Sequence, residues 1–294
     1  MMEAVRRSAR MRTRVKPYLY VLPMSALALL FVYYPFIKTV IYSLSVVNAK
    51  GEILSFAGLS NFAYLFGRRE FKAALSNTLT LALINVPVTL VITIALGYLA
   101  SRKRFLSPVY ESMFALPVAV SMSAAALIFK VLLNPTAGLV NYLFHLDFGW
   151  YQDRNTAMAG ILLLTVWMGI GLNFLLFLSA FRAVPQDLAD CAYLDGANEA
   201  QTFFRIRLPL IAPTILYVSC TNMIQAMMTS GPILVLTQGG PSRSTTTLVY
   251  MMYTSGYSSA NYSLAACVSL VTFALTLVIT LALYALQERR GESQ

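Results

Sequence analysis

Six stretches of this chain contain no Asp, Glu, Lys or Arg: 17–37, 73–101, 112–129, 155–181, 208–242 and 244–287. A helix needs about 20 such residues to cross a hydrocarbon core of roughly 30 Å, at about 1.5 Å per residue. Backbone in lipid must satisfy its own hydrogen bonds, so each run reads as a helix; the alternation of a membrane β-strand is absent. Charged residues make up 12% of the 294, half the roughly 25% of a soluble domain, which argues against a large buried soluble core. The sequence predicts an all-α integral membrane protein with six transmembrane helices. A basic leader before an apolar run also has the outline of a signal peptide. Cleavage after Ala26-Leu27-Ala28 would strand the rest of that run, so the first helix is read as retained.

The six helices are expected at about 17–35, 76–100, 109–133, 155–181, 211–237 and 262–287. Residues 1–16 form a basic cytoplasmic tail, 17–287 the transmembrane domain, and 288–294 a second cytoplasmic tail. With both termini inside, the inner segments hold fourteen of the 22 Lys and Arg residues, which favours N-in/C-in. Basic residues beside anionic lipid account for the net charge of +10 without nucleic acid. The outer segment 46–72 ends in FAYLFGRREFKAAL, which suggests an amphipathic helix at the membrane surface. Pro87 and Pro117 predict kinks, Asn85 beside Pro87 reads as repair of the kinked helix, and Trp150 and Tyr151 read as interfacial anchors. Cys191, Cys220 and Cys267 have no metal or disulfide spacing, and His145 has no His or Cys partner nearby.

Charge returns between helices four and five, in DLADCAYLDGANEAQTFFRIRLPLIAP (187–213), which holds four of the twelve acidic residues. Pro185 suits a first helical turn and Asp187 its positive end. Leu188, Cys191 and Ala192 make a small apolar stripe, and Gly196 supplies the positive φ that ends the helix. Asn198 and Gln201 have capping-box spacing for a second short helix; Phe203, Phe204 and Ile206 give it an apolar side and Pro209 stops it. The result is a cytoplasmic elbow of two short helices around a glycine (about 183–210), suited to sit in a cleft of a soluble partner. Packing against lipid alone is the plainer alternative.

This run resembles the EAA loop of permease subunits in bacterial ABC importers, whose pattern is E-A-A, three residues, G, nine residues, I-x-L-P. It matches at Ala192, Asp195, Gly196, Ala197, Phe204, Ile206, Leu208 and Pro209. LTQGGPSRSTTTLVYMMY (236–253) is similar to the LTxGGP segment of the carbohydrate-uptake branch, the maltose and glycerol-phosphate permeases. The family's Glu is Asp190 here and its next Ala is Cys191, so a carboxylate contact with the ATPase would be re-spaced. The resemblance implies that Asp190, Ala192, Asp195, Gly196, Ala197, Phe203 and Phe204 couple to two separate ATPase subunits. Those subunits use ATP and Mg, and this chain binds no cofactor or metal. It also implies a second permease subunit, an extracytoplasmic solute-binding protein, and a multi-pass location in a prokaryotic cytoplasmic membrane.

Polar side chains inside membrane helices are costly unless they pair or line a cavity. Asn222, Gln225 and Thr229 share one face of helix five. Thr165, Gly169 and Asn173 fall one turn apart on helix four, with Trp167 close by. Amides and hydroxyls without full charge suit a neutral sugar, and the family's sugar pocket lies on the corresponding helices. Interhelical hydrogen bonding is the alternative for the same residues. The expected function is alternating-access import of a sugar or oligosaccharide by a non-enzymatic permease. Glycerol phosphate or another small polar solute is the main rival. A secondary transporter lacks an intramembrane ionisable coupling group, and a channel would need no ATPase.

Overall fold

The computed structural model describes residues 18, 20–102 and 105–291, with side chains to residue 285. The predicted tail 1–16, Lys103 and Arg104, and the side chains of the predicted tail 288–294 lie outside the described residues.

Helix α1 (Tyr20–Ser43) leads into a hairpin of β1 (Ser45–Val47) and β2 (Ile53–Phe56), then α2 (Ser60–Gly67) and α3 (Arg69–Ser101). A bent pair follows, α4 (Ser107–Ala119) and α5 (Met122–Leu132), with short α6 (Leu139–Phe144) before α7 (Ala157–Ala183). Next come α8 (Gln186–Leu194) and α9 (Glu199–Leu210), then α10 (Ala212–Met227) and α11 (Gly231–Leu236). Short α12 (Leu248–Tyr253) precedes α13 (Tyr262–Gly291). Four helices, α1, α3, α7 and α13, are long and apolar enough to cross a membrane. The pair α4/α5, bent by 105°, and the pair Glu199–Leu210 and Ala212–Leu236, bent by 69°, bring the number to six if each counts as one span.

Several sequence expectations change. Helix three is two helices and not one. Pro117 has no N–H, its neighbourhood tightens to a 3₁₀ turn (Leu116–Ala119), Val120 is extended, and the Ser121 hydroxyl caps α5 by accepting from Ala124 N at 3.3 Å. Helix five is interrupted at residues 228–230, because Pro232 has no N–H to offer the Met228 carbonyl. Pro209 does not stop the elbow's second helix, which continues to Leu210 through a π-helical turn (Phe203–Arg207) and breaks at Ile211, two residues before Pro213. In FAYLFGRREFKAAL a short helix does form, α2, but it ends at Gly67 and the rest of the stretch begins α3; the hairpin before it was not expected. Arg68, extended at ψ 130°, separates α2 from α3. The hairpin makes the chain less than wholly α. It pairs Ser45 with Phe56 and Val46 with Ser55, and Ser263 at the start of α13 braces it by donating to Ser45 O and accepting from Val47 N.

In lipid, neighbouring apolar surfaces gain little from leaving water, so close packing and interhelical hydrogen bonds hold helices together. The most extensive packing is between α3 and α7. Gly97 permits it: a Cβ there would lie 2.8 Å from Phe177 Cβ and 3.1 Å from Leu178 N. A central apolar cluster joins Leu81 and Val86 of α3, Ile161 and Leu164 of α7, and Met223 and Met227 of α10. A second one, with Phe177, Phe181, Ile211 and Val218, lies beneath the elbow and takes in Phe203.

Candidate functional site

The elbow forms as its local chemistry dictates. Pro185 stands at the N-cap of α8, one place earlier than expected, and Asp187 occupies the first turn. Gly196 has φ +85°, with its N–H on Tyr193 O at 3.1 Å and that of Ala197 on Ala192 O at 2.9 Å. That hydrogen-bonded left-handed turn closes α8 and is costly for any residue carrying a Cβ. The predicted capping box is present: Asn198 Oδ1 accepts from Gln201 N, and Gln201 Oε1 accepts from Asn198 N, both at 2.9 Å.

The elbow has two faces. Ala189, Ala192 and Thr202 are buried against the bundle. Phe203, expected to face outward, instead packs on Tyr98 at 4.6 Å and Phe181 at 6.1 Å between ring centres. The π-helical turn and the cluster beneath the elbow draw its ring inward. Of the predicted apolar stripe, only Ala192 faces the bundle, because the inner row of α8 runs through Ala189. Leu188 and Cys191 face away, as do Leu194 (89% exposed) and Phe204 (65% exposed). Asp187, Asp190, Asp195 and Gly196 are exposed, and Ala197 is half-buried. No side-chain partner reaches the three aspartates among the described residues. The outer face therefore offers apolar knobs among unpaired carboxylates.

Glu199 is the acid that local reasoning left without a role. Its carboxylate accepts from Tyr98 and Arg102 at the end of α3, and from Tyr193 of α8 at 2.5 Å. The Arg207 guanidinium lies over the Tyr98 ring, 5.5 Å from its centre. The Tyr193 hydrogen bond first, then those of Tyr98 and Arg102, hold Glu199 at a pKa of about 2, and the same bond raises that of Tyr193. Beside this clasp is a cavity of about 840 Å³ that Arg102, Arg182, Gln186 and Glu199 help to line. Tyr98 and Arg102 fall one helical turn apart, but nothing in the sequence links them to 193 and 199; only the fold does.

The two predicted polar stripes meet within the bundle. Asn173 Nδ2 donates to Asn222 Oδ1 at 2.9 Å, and both side chains are buried. Gly169 lies against Thr89, whose Cγ2 would be 3.0 Å from a Cβ placed there. Thr89 Oγ1 and Asn222 Nδ2 are buried with no hydrogen-bond partner among the described residues. Thr165 accepts from Asn85 Nδ2 at 2.7 Å, so Asn85 bridges helices and does not repair its own. Trp167 packs on Phe129, 5.5 Å between ring centres. Gln225 does not join this group and is exposed on the outside of the chain. Thr229 lies in the break after α10, its hydroxyl on Gln225 O. Trp150 is no interfacial anchor: it is buried, its Nε1 donating to Asn141 Oδ1 at 2.5 Å, because the indole N–H finds its partner inside the loop.

At the end of the bundle away from the elbow, the LTQGGP loop lines a second cavity of about 680 Å³ together with Arg68, Glu70, Tyr250 and Asn261. Arg243 pairs with Glu70 at 2.5 Å.

The family described as binding-protein-dependent transport system inner membrane component matches residues 88–291. The chain belongs to that family. It is 32% identical over 282 residues to the sn-glycerol-3-phosphate transport system permease protein UgpA of Yersinia enterocolitica, covering 95% of this chain and 96% of that one. Against UgpA of Salmonella typhimurium the identity is 31% over 291 residues, covering 96% and 97%. A bacterial alginate ABC transporter chain, solved in complex with an alginate pentasaccharide-bound periplasmic protein, shares the fold. The TM-score is 0.84 at 22% identity, covering 96% of this chain and 98% of that one. The resemblance seen in the EAA-like loop and LTQGGP thus holds. As a member of this family, the chain is a non-catalytic, multi-pass permease component of the inner membrane whose transport system depends on a binding protein.

Proposed function

We propose that this chain is one of two permease subunits in an ATP-driven importer, carrying a sugar or oligosaccharide across the cytoplasmic membrane by alternating access. The two-faced elbow carries this reading. Leu188, Leu194 and Phe204 among free carboxylates on one side suit a cleft in a soluble ATPase subunit, with Asp190 and Asp195 positioned for basic groups there. The inward side, through Phe203, Ala189 and Ala192, makes the elbow move with the helices. Both termini and the elbow lie inside, by the distribution of Lys and Arg. Because α9 runs to Leu210 and breaks into α10, displacing the elbow re-aims α10 and with it Asn222 and Gln225. An exposed amide in a membrane helix needs water or protein opposite it, so Gln225 faces the solute path or the second permease subunit. The path itself is built from Thr165, Gly169, Asn173, Asn222, Gln225 and Thr229, with the unpartnered Asn222 Nδ2, and Thr89 Oγ1 beside Gly169, to offer a hydroxylated solute. No cofactor is held by this chain; ATP and Mg belong to the ATPase partners.

Reconstitution in proteoliposomes with the partner chains tests this: uptake requires ATP inside, and Gly196→Pro abolishes it. A small anionic polyol such as glycerol phosphate is the second reading, favoured by the solute named for the UgpA relatives. A thermal-shift screen of the cognate binding protein with neutral sugars and sn-glycerol 3-phosphate separates the two.

A further inference from the structure

Helix α3 is continuous over 33 residues, a rod of about 50 Å at 1.5 Å per residue. Both of its ends are tied to segments distant in sequence. At the elbow end, Tyr98 and Arg102 bind the Glu199 carboxylate, which also takes the Tyr193 hydroxyl of α8 at 2.5 Å. One carboxylate thereby joins the rod to both halves of the elbow. At the opposite end, Asn77 Nδ2 donates to Arg243 O and Thr246 O, each at 3.0 Å. Thr78 Oγ1 accepts from Leu248 N at 2.9 Å, and Glu70 pairs with Arg243. The held loop includes Gln238, Ser242 and Arg243, all non-glycine residues at positive φ (50° to 62°), a conformation such residues leave once their anchors move. It lines the 680 Å³ cavity.

From Asn77 to Tyr98 is 21 residues, or about 31 Å, the thickness of a bilayer core. We infer that α3, unbroken through Pro87, is a transmission bar and Glu199 its positioning residue, carrying elbow movement through the membrane to the loop that shapes the solute-receiving mouth. The inference rests on the importer reading above and adds to it a route. Phe203 and the Arg207 guanidinium also touch the Tyr98 ring, but these ring contacts are less directional than the hydrogen bonds to the carboxylate. Glu199 fixes it to the elbow along its length, and Asn77 fixes it to the loop.

The test is hydrogen exchange of the assembled importer in nanodiscs, with and without Mg·ATP plus vanadate. In the wild type, nucleotide changes exchange in both 187–197 and 238–247. Glu199→Ala keeps the elbow response and loses more than half of the response in 238–247. Glu199→Gln, whose amide oxygen still accepts from Tyr98 and Arg102 while its NH2 donates to the Tyr193 hydroxyl oxygen, retains most of it. Asn77→Ala, remote from the elbow, loses the same loop response. A wild-type-sized loop response in Glu199→Ala or in Asn77→Ala overturns the inference, as does a wild type that responds at the elbow alone. A merely local staple would change elbow exchange and leave the response of 238–247 intact. A wild type with no nucleotide response at the elbow removes the ATP-coupled reading itself, and this inference with it.

Discussion

Asn173 Nδ2 reaches Asn222 Oδ1 across 2.9 Å between α7 and α10, while Asn222 Nδ2 stays buried without a partner among the described residues. Such a pair is both adhesive and incomplete. Adhesion between the helices and a part in the proposed solute path are separable experimentally.

Asn222→Leu alone leaves the Asn173 amide without its acceptor and lowers stability by about 1–2 kcal/mol, near the upper range for interhelical bonds in membranes. Asn173→Leu with Asn222→Leu removes both partners and recovers most of that loss, read as Tm in detergent. If the pair serves the solute path, uptake stays impaired in the double variant although stability returns. Uptake that recovers along with Tm assigns the pair to adhesion only.

Gly196 sits at φ +85°, and a Cβ added there would meet nothing within 4 Å, so backbone strain, and not crowding, sets the outcome. Gly196→Ala costs about 1–2 kcal/mol and slows uptake modestly. Gly196→Pro also deletes the N–H that binds Tyr193 O and abolishes uptake, while solute capture by the binding protein is unchanged in an equilibrium binding assay.

The Glu199 carboxyl, held at about 2 chiefly by the Tyr193 hydroxyl, has a depressed folded value. Its stabilisation is therefore complete above the ordinary value of 4.5 and fades as pH falls towards 2. Tyr193 is raised by the same bond, so its share persists below pH of about 10 and is lost as pH climbs beyond it. Tyr193→Phe moves the Glu199 midpoint upward, measured by the carboxyl ¹³C shift of labelled full-length chain. Between pH 5 and 8 the clasp contributes no pH dependence to transport.

At Gly97 an added Cβ meets backbone as well as side chain, with Leu178 N and Phe177 C both at 3.1 Å. Gly97→Leu parts α3 from α7 and lowers the yield of monodisperse protein in size-exclusion chromatography. Gly97→Ala costs about 1–3 kcal/mol, as overpacking does, and lowers Tm without abolishing folding.

What the sequence made legible was local. The Gly196 turn, the Asn198–Gln201 box and the long apolar helices each depend on residues within a few positions of one another. Pro117 and Pro232 mark breaks, but a proline in an apolar run reads equally as a kink, so the division of helices three and five emerged only from the fold. Phe203 and Phe204 are adjacent and chemically alike; which turns inward depends on Tyr98 and Phe181, which sit on two other helices. Glu199 was hidden for the same reason, since its donors lie on α3 and α8. Charge patterning located the elbow, whereas the pairing of Asn173 with Asn222 rather than with Gln225 follows from how α10 is rotated.

The hairpin near the start of the chain carries a last consequence, for biogenesis. Its brace, Ser263, is 216 residues downstream of Val47. A ribosome adding about 5–20 residues per second takes on the order of 10–40 s to deliver it. Throughout that interval the hairpin rests on local contacts such as Asn61, whose Nδ2 donates to Ser43 O and Ser45 O, and the hydroxyl that ties both backbone edges of β1 arrives only when α13 inserts.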